Sequence, residues 1–216
     1  MNVQRASFNP DCCLCPRLAS HLRQVHRRYP DYHARPVAPF GDPKAPLLIA
    51  GLAPGRHGAN ATGRPFTGDY AGKLLFRTLH RFGFASRPHS IDRRDGLQLV
   101  HCRITNAVKC LPPGNKPTTA EIRTCNRYLR SELAVLGKGS VILALGRIAH
   151  QAVLMALDYP ISSHPFRHGQ VHTLANGLRL VDCYHCSRYN TQTGRLTPEM
   201  FTNVFKKIVE LIDISI

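Results

Sequence analysis

The segment from Leu47 to Gly72, LLIAGLAPGRHGANATGRPFTGDYAG, constrains the chain most, because it reads as a buried strand feeding a glycine-rich loop and then a helix. Leu47 to Ala50 form an unbroken apolar run, the pattern of a strand covered on both faces. Gly51, Gly55, Gly58, Gly63 and Gly68 admit backbone conformations and close approaches that a Cβ would block. Such a loop can aim several backbone N–H groups at one anion or one electron-rich ring edge. The glycines alone equally fit an ordinary strand-to-helix turn. Phe66 and Asp69 favour a ligand, since they add a stacking face and a carboxylate to the same loop.

Along the rest of the chain, apolar strands alternate with amphipathic helices. Asp69 is placed to cap a helix reaching about Phe82, with Leu74, Leu75, Thr78, Leu79 and Phe82 on one face. A polar, basic surface connection over 84–101 leads to a second buried strand from Ile104 to Val108, which ends in the loop KCLPPGNKP. Thr118 and Glu121 make a capping box for a helix to about Leu136, Val141 to Leu145 reads as a third strand, and Arg147 to Leu157 as a helix. Gln170 to Leu174 and Leu178 to Asp182 flank Ala175-Asn176-Gly177 as a hairpin. Thr197 and Pro198 open a last helix that turns Phe201, Val204, Phe205, Ile208, Leu211 and Ile212 to the core. The alternation predicts an α/β fold of three αβα layers around a central, mostly parallel four-stranded sheet. Residues 1–46 read as an N-terminal arm and 47–216 as the main domain. In such sheets ligands bind outside the carboxyl ends of the strands, where the loops after Ala50, Val108 and Asp182 lie.

Charge narrows the partner. Lysine and arginine number 29 against 13 acids, a formal net charge of +16 spread from Arg17 to Lys207, and a folded basic surface of this kind suits nucleic acid. A basic face that only aids solubility is the plainer alternative. No charged-then-apolar leader opens the sequence and no apolar run has the length of a membrane span, so a cytoplasmic protein without membrane association is expected. Eight cysteines without a secretion signal favour metal ligation over disulfides.

Three stretches in order, GLAPGRHGANATGRPFTGD, ITNAVKCLPPGNKPT and YHCSRYNTQTGRLT, resemble the uracil-DNA glycosylase superfamily, most closely its B-type fifth family, over nearly the whole chain. Two departures stand out: Leu52 and Ala53 replace an acid or amide beside Gly51, itself a mark of the B-type group, and Cys186 replaces the usual proline, whose fixed φ is lost. Cys12, Cys15, Cys110 and Cys125 would make a four-thiolate site closing the arm onto the domain. By count it suits zinc or an iron–sulfur cluster equally. The resemblance implies a structural 4Fe-4S cluster, with zinc the lesser alternative. Cys102 and Cys183 read as small core residues, and Cys13 as a bystander with awkward spacing.

The resemblance also implies the activity, excision of uracil and other deaminated or damaged bases (hypoxanthine, xanthine, ethenocytosine) from double- or single-stranded DNA by a monomer. Breaking an N-glycosidic bond builds positive charge on the sugar and negative charge on the departing base. His185 is the candidate donor to the base oxygen, and Asp69 the carboxylate that orients water and favours the cationic sugar. The plainer alternatives are a loop histidine and a helix cap. Base binding falls to Gly51, Leu52, Ala53, Pro54, Gly55, His57 and Gly58, with Phe66 as stacking face and Asn106 as reader of the base edge. Phe66 as core and Asn106 as a loop cap are the alternatives. Ser187, Arg188, Tyr189, Asn190, Gln192 and Arg195 read as a loop that enters the minor groove. Two rivals remain, a non-catalytic iron–sulfur nucleic-acid-binding module and a glycine-loop enzyme acting on free nucleotides.

Overall fold

Leu47, Ile49, Val141, Leu143 and Val181 turn one way and Leu48, Ala50, Ile142, Ala144 and Leu180 the other, and both sets are fully buried, so the sheet must be covered on two sides. The computed structural model describes residues 6–212. The first five residues of the arm 1–46 and the last four of the domain 47–216 therefore lie outside the described residues.

Four parallel strands, β2 (Leu47–Gly51), β3 (Cys102–Asn106), β4 (Val141–Leu145) and β6 (Arg179–Cys183), form the centre. The sheet is six-stranded rather than four-stranded, because β1 (Phe40–Gly41) and β5 (Val171–Thr173) add short antiparallel edges in the order β1-β3-β2-β4-β6-β5. β1 comes from the proline-bearing stretch 30–46 at the end of the arm and is too short to leave a pattern in the sequence. β5 is the first arm of the expected hairpin. Edge strands this short expose few unpaired backbone groups to other chains.

On one face α3 (Tyr70–Arg81) and α7 (Pro198–Ile212) pack through Leu75, Leu79, Phe201, Phe205 and Ile208. On the other lie α4 (Thr119–Leu133) and α5 (Arg147–Ala156), packed through Leu129, Leu133, Ala149 and Val153. The three layers are thus as the alternation implies. The capping box forms in full: Thr118 Oγ1 accepts from the Glu121 N–H at 3.2 Å, and Glu121 Oε2 accepts from the Thr118 N–H at 2.8 Å. Thr197 Oγ1 accepts from the Met200 N–H at 3.1 Å at the start of α7.

The arm contributes α1 (Pro16–Arg28), whose Leu18, Leu22 and Val25 build a third core with Val108, Leu111 and Tyr128. It is tied down further where the Val37 N–H donates to the Lys109 carbonyl at 2.7 Å. The 84–101 connection is more than surface: Phe84 and Leu97 are buried, and Asp95 pairs with buried Arg64 at 2.8 Å. Arg64 also donates to Ser90 and to the Arg93 carbonyl, so this segment braces the glycine loop from behind.

Candidate active site

The strand order places β2 between β3 and β4, so the loops leaving β2 and β3 open at the carboxyl ends of neighbouring strands. There a cleft of about 320 Å³ is lined by Leu52, Ala53, Pro54, Gly55, Phe66 and Asp69 from the glycine loop, by Asn106 at the end of β3, and by His185 from the loop after β6. Tyr70, Ala71, Asn115, Ser187 and Arg188 complete the lining.

Gly51 sits under the cleft. A Cβ there would meet Asn106 Oδ1 at 2.5 Å and Phe66 Cζ at 2.7 Å, so the missing side chain lets ring and amide close over the strand end. Phe66 is held at φ 60°, a region that bulky residues rarely adopt, and its carbonyl packs where a Cβ on Gly72 would fall. Its ring stacks toward His185 with centroids 6.0 Å apart and planes 26° apart. Asn106 is buried, and its Oδ1 has no hydrogen-bond partner within the protein. Its backbone is fixed by the buried Lys109, whose Nζ donates to the Asn106 carbonyl at 2.8 Å and to Glu132 at 2.7 Å.

Asp69 precedes α3, as an N-cap does, but its side chain makes no capping bond to that helix. It points back instead, accepting from the Ala59 N–H at 3.1 Å, at the start of the short helix α2 (Ala59–Thr62). Gly55 and Gly58 make room for it: a Cβ at either would lie 2.3 Å and 2.0 Å from Asp69 Oδ1. Burial raises the carboxyl's pKa, and the Ala59 N–H opposes part of that rise. Burial likewise lowers His185 to about 4, so its imidazole is neutral at physiological pH. The loop carrying His185 is held by Asn190, whose Nδ2 donates to the His185 carbonyl at 2.8 Å.

Gly58 stands behind Asp69 rather than in the cleft wall. His57 turns outward, hydrogen-bonded through Nδ1 to the Tyr32 hydroxyl at 2.9 Å and packed against Tyr29, so it belongs to the junction between loop and arm. The stretch after Ser187 is not an open loop but a short helix, α6 (Arg188–Gln192), with Ser187 as its N-cap. Arg188 lies over the Tyr70 ring at 5.4 Å, Arg195 over Tyr184 at 4.8 Å, and Tyr189 is 70% exposed. Gln192 is exposed, whereas Asn190 is turned inward to the His185 carbonyl. Sequence reasoning passed over Tyr70 and Asn115. The Asn115 backbone, at φ 56°, marks the tight turn that brings the KCLPPGNKP loop to the cleft.

Cys12, Cys15, Cys110 and Cys125 gather around one small pocket between α1, the loop after β3 and α4, walled by Leu18 and Tyr128. The Lys109 N–H points at Cys125 Sγ at 3.3 Å. Burial and the neighbouring Cys125 thiol push Cys15 up to about 11. Four cysteines lining one small, largely apolar pocket fit a thiolate-bound metal group by donor type and number. Cys13 is exposed, and Cys102 and Cys183 are buried within the main core.

The cleft thus has an aromatic face, Phe66, and an amide, Asn106, at the strand ends, where sheets of this α/β class bind their ligands. The family model of the uracil DNA glycosylase superfamily matches residues 38–209. A type-5 uracil-DNA glycosylase of Thermus thermophilus is 48% identical over 205 residues, covering 93% of both chains. One of Pyrobaculum aerophilum is 42% identical over 91% of this chain and 87% of its own, and a type-4 enzyme of Archaeoglobus fulgidus is 32% identical over 81% of each. The chain belongs to the uracil DNA glycosylase superfamily. Among the described residues no helix is long and apolar enough to cross a membrane.

Proposed function

We propose that this chain is a monofunctional DNA repair glycosylase that hydrolyses the bond between uracil and deoxyribose, leaving an abasic site. The observation that carries the reading is the buried, unpartnered Oδ1 of Asn106 inside the cleft. A buried acceptor without a donor is costly unless a ligand satisfies it. Uracil offers an N–H beside a carbonyl, so the amide can accept from the first and donate to the second. Cytosine reverses that order and is rejected.

Once the base has left the stack, Phe66 covers its face and Asn106 reads its edge. Neutral His185 donates to the base oxygen as charge gathers there, and the Asp69 carboxylate orients water and favours the cationic sugar. No covalent intermediate is required. Hypoxanthine and xanthine share uracil's N–H and carbonyl order, which extends the substrate class to deaminated purines. Ethenocytosine lacks that N–H, so its removal would rest on leaving-group chemistry alone. The net charge of +16 supplies the sequence-independent attraction to DNA, with Ser187, Arg188, Tyr189, Gln192 and Arg195 at the entrance to the duplex.

Cys12, Cys15, Cys110 and Cys125 would hold a 4Fe-4S cluster, whose contribution is structural: it closes the arm onto the domain and steadies the KCLPPGNKP loop. Incubation with duplexes carrying uracil, hypoxanthine, xanthine or ethenocytosine, followed by alkali, tests the proposal. Strand scission at uracil is expected. Tight binding without scission would leave a non-catalytic module, and activity confined to mononucleotides would leave a nucleotide hydrolase.

A further inference from the structure

We propose that His150, His172 and Asp182 form a binding site for a divalent transition-metal ion, separate from both the cleft and the cysteines. Asp182 lies on β6, His172 beside it on β5, and His150 in the first turns of α5. One donor atom from each lies within 4.8 Å of the others. His150 and Asp182 are fully buried, and the His172 side chain is only 8% exposed.

The donors are already oriented as ligands are. His150 Nδ1 faces Asp182 Oδ1 at 2.6 Å, while its Nε2 points at the His164 carbonyl at 2.8 Å. A ligating histidine commonly donates its second N–H to a backbone carbonyl, which fixes ring and tautomer. Asp182 Oδ2 accepts from the Arg167 N–H at 3.1 Å and faces His172 Nε2 at 2.9 Å, so the carboxylate too is held from outside the site. A fourth donor stands near: His164 Nδ1 is buried without a partner, and its ring lies 5.6 Å from that of His172. Tetrahedral bonds of about 2.1 Å set ligand atoms about 3.4 Å apart, so the contacts need to open by less than about 1 Å to admit an ion.

Two imidazoles with one carboxylate suit zinc or cobalt(II); calcium and magnesium prefer all-oxygen shells. Such an ion would tie α5, β5 and β6 together beneath the His185 loop. Asp182 is three residues from His185, and a Cβ on Gly146, at the start of α5, would lie 3.5 Å from the His185 Cβ.

Cobalt(II) titration of the anaerobically purified holoprotein, followed by visible spectroscopy and metal counting, tests the site. The expected result is one cobalt per chain with the visible bands of tetrahedral nitrogen and oxygen ligation and no intense sulfur-to-cobalt charge transfer. His172→Ala should weaken that binding by roughly ten- to a hundredfold, and substitution of an exposed histidine, His80→Ala, should leave it intact. The unaltered protein decides the matter even where His172→Ala does not fold. No bound cobalt at excess, a sulfur-type spectrum only, or binding unchanged in a folded His172→Ala would each overturn the proposal.

Discussion

Gly55→Ala tests whether the placement of the Asp69 carboxylate, as distinct from its charge, sets the rate. The new Cβ would fall 2.3 Å from Asp69 Oδ1 and 3.2 Å from its Cγ. Non-bonded carbon and oxygen settle at roughly 3.5 Å, so the carboxylate must retreat by about 1 Å. Gly55 does not have a positive φ, so alanine adds no backbone strain of its own. Displacing a positioned group by about 1 Å costs on the order of a hundredfold in rate, or about 2.7 kcal/mol at the transition state. Single-turnover release of uracil from a duplex, with enzyme saturating, isolates that step from binding. Gly55→Ala should approach the defect of Asp69→Asn, and the double variant should be scarcely slower than Asp69→Asn alone, because both remove one contribution. Gly137→Ala is the control, since nothing lies within 4 Å of the added atom. A parental rate in Gly55→Ala beside a slow Asp69→Asn would refute the positional argument. Defects that multiply in the double variant would show instead that the methyl obstructs the base.

Burial raises the Asp69 pKa, so the single-turnover rate should fall on acidification through a value above the ordinary carboxylate range. Asp69→Asn should flatten that limb, and a surviving limb would assign it elsewhere. A raised folded pKa means the ionised carboxylate opposes folding above that pKa, a penalty that disappears as pH falls below the unfolded value. Asp69→Asn should therefore melt no lower than the parent at pH 8 by calorimetry; a clear fall would restore the helix-cap role. His185→Ala should slow uracil release on the order of a hundredfold or more and hypoxanthine release less, because only uracil departs with full charge on its oxygen. Equal losses would remove that distinction. Cys110→Ser should lose iron and folding yield while Cys102→Ser keeps both, measured by iron content after anaerobic purification; equal outcomes would dissolve the ligand set.

The legible parts of the sequence were those governed by local pattern. Continuous apolar runs gave β2 and β4, the Thr118–Glu121 box gave the start of α4, and the Asn176-Gly177 turn gave the β5–β6 hairpin. Side-chain direction was not legible. Asp69 occupies a cap position, yet Gly55 and Gly58 open a space that draws its carboxylate the other way. His57 sits within the glycine loop, but Tyr32, 25 residues earlier, holds it away from the cleft. The Arg64–Asp95 pair and the His150–His172–Asp182 group unite residues distant in the chain, for which no spacing rule exists. Helix α6 is one turn capped by Ser187, too short for any periodicity to announce.

Lys109 has a wider reach than a buried lysine usually needs. Its N–H touches Cys125, its carbonyl takes the arm's Val37 N–H, and its Nζ holds the carbonyl of Asn106. One residue thus joins Cys125, the arm and the Asn106 backbone through direct hydrogen bonds. A disturbance at Cys125 therefore has a direct route to the Asn106 carbonyl, one residue long, without passing through the sheet.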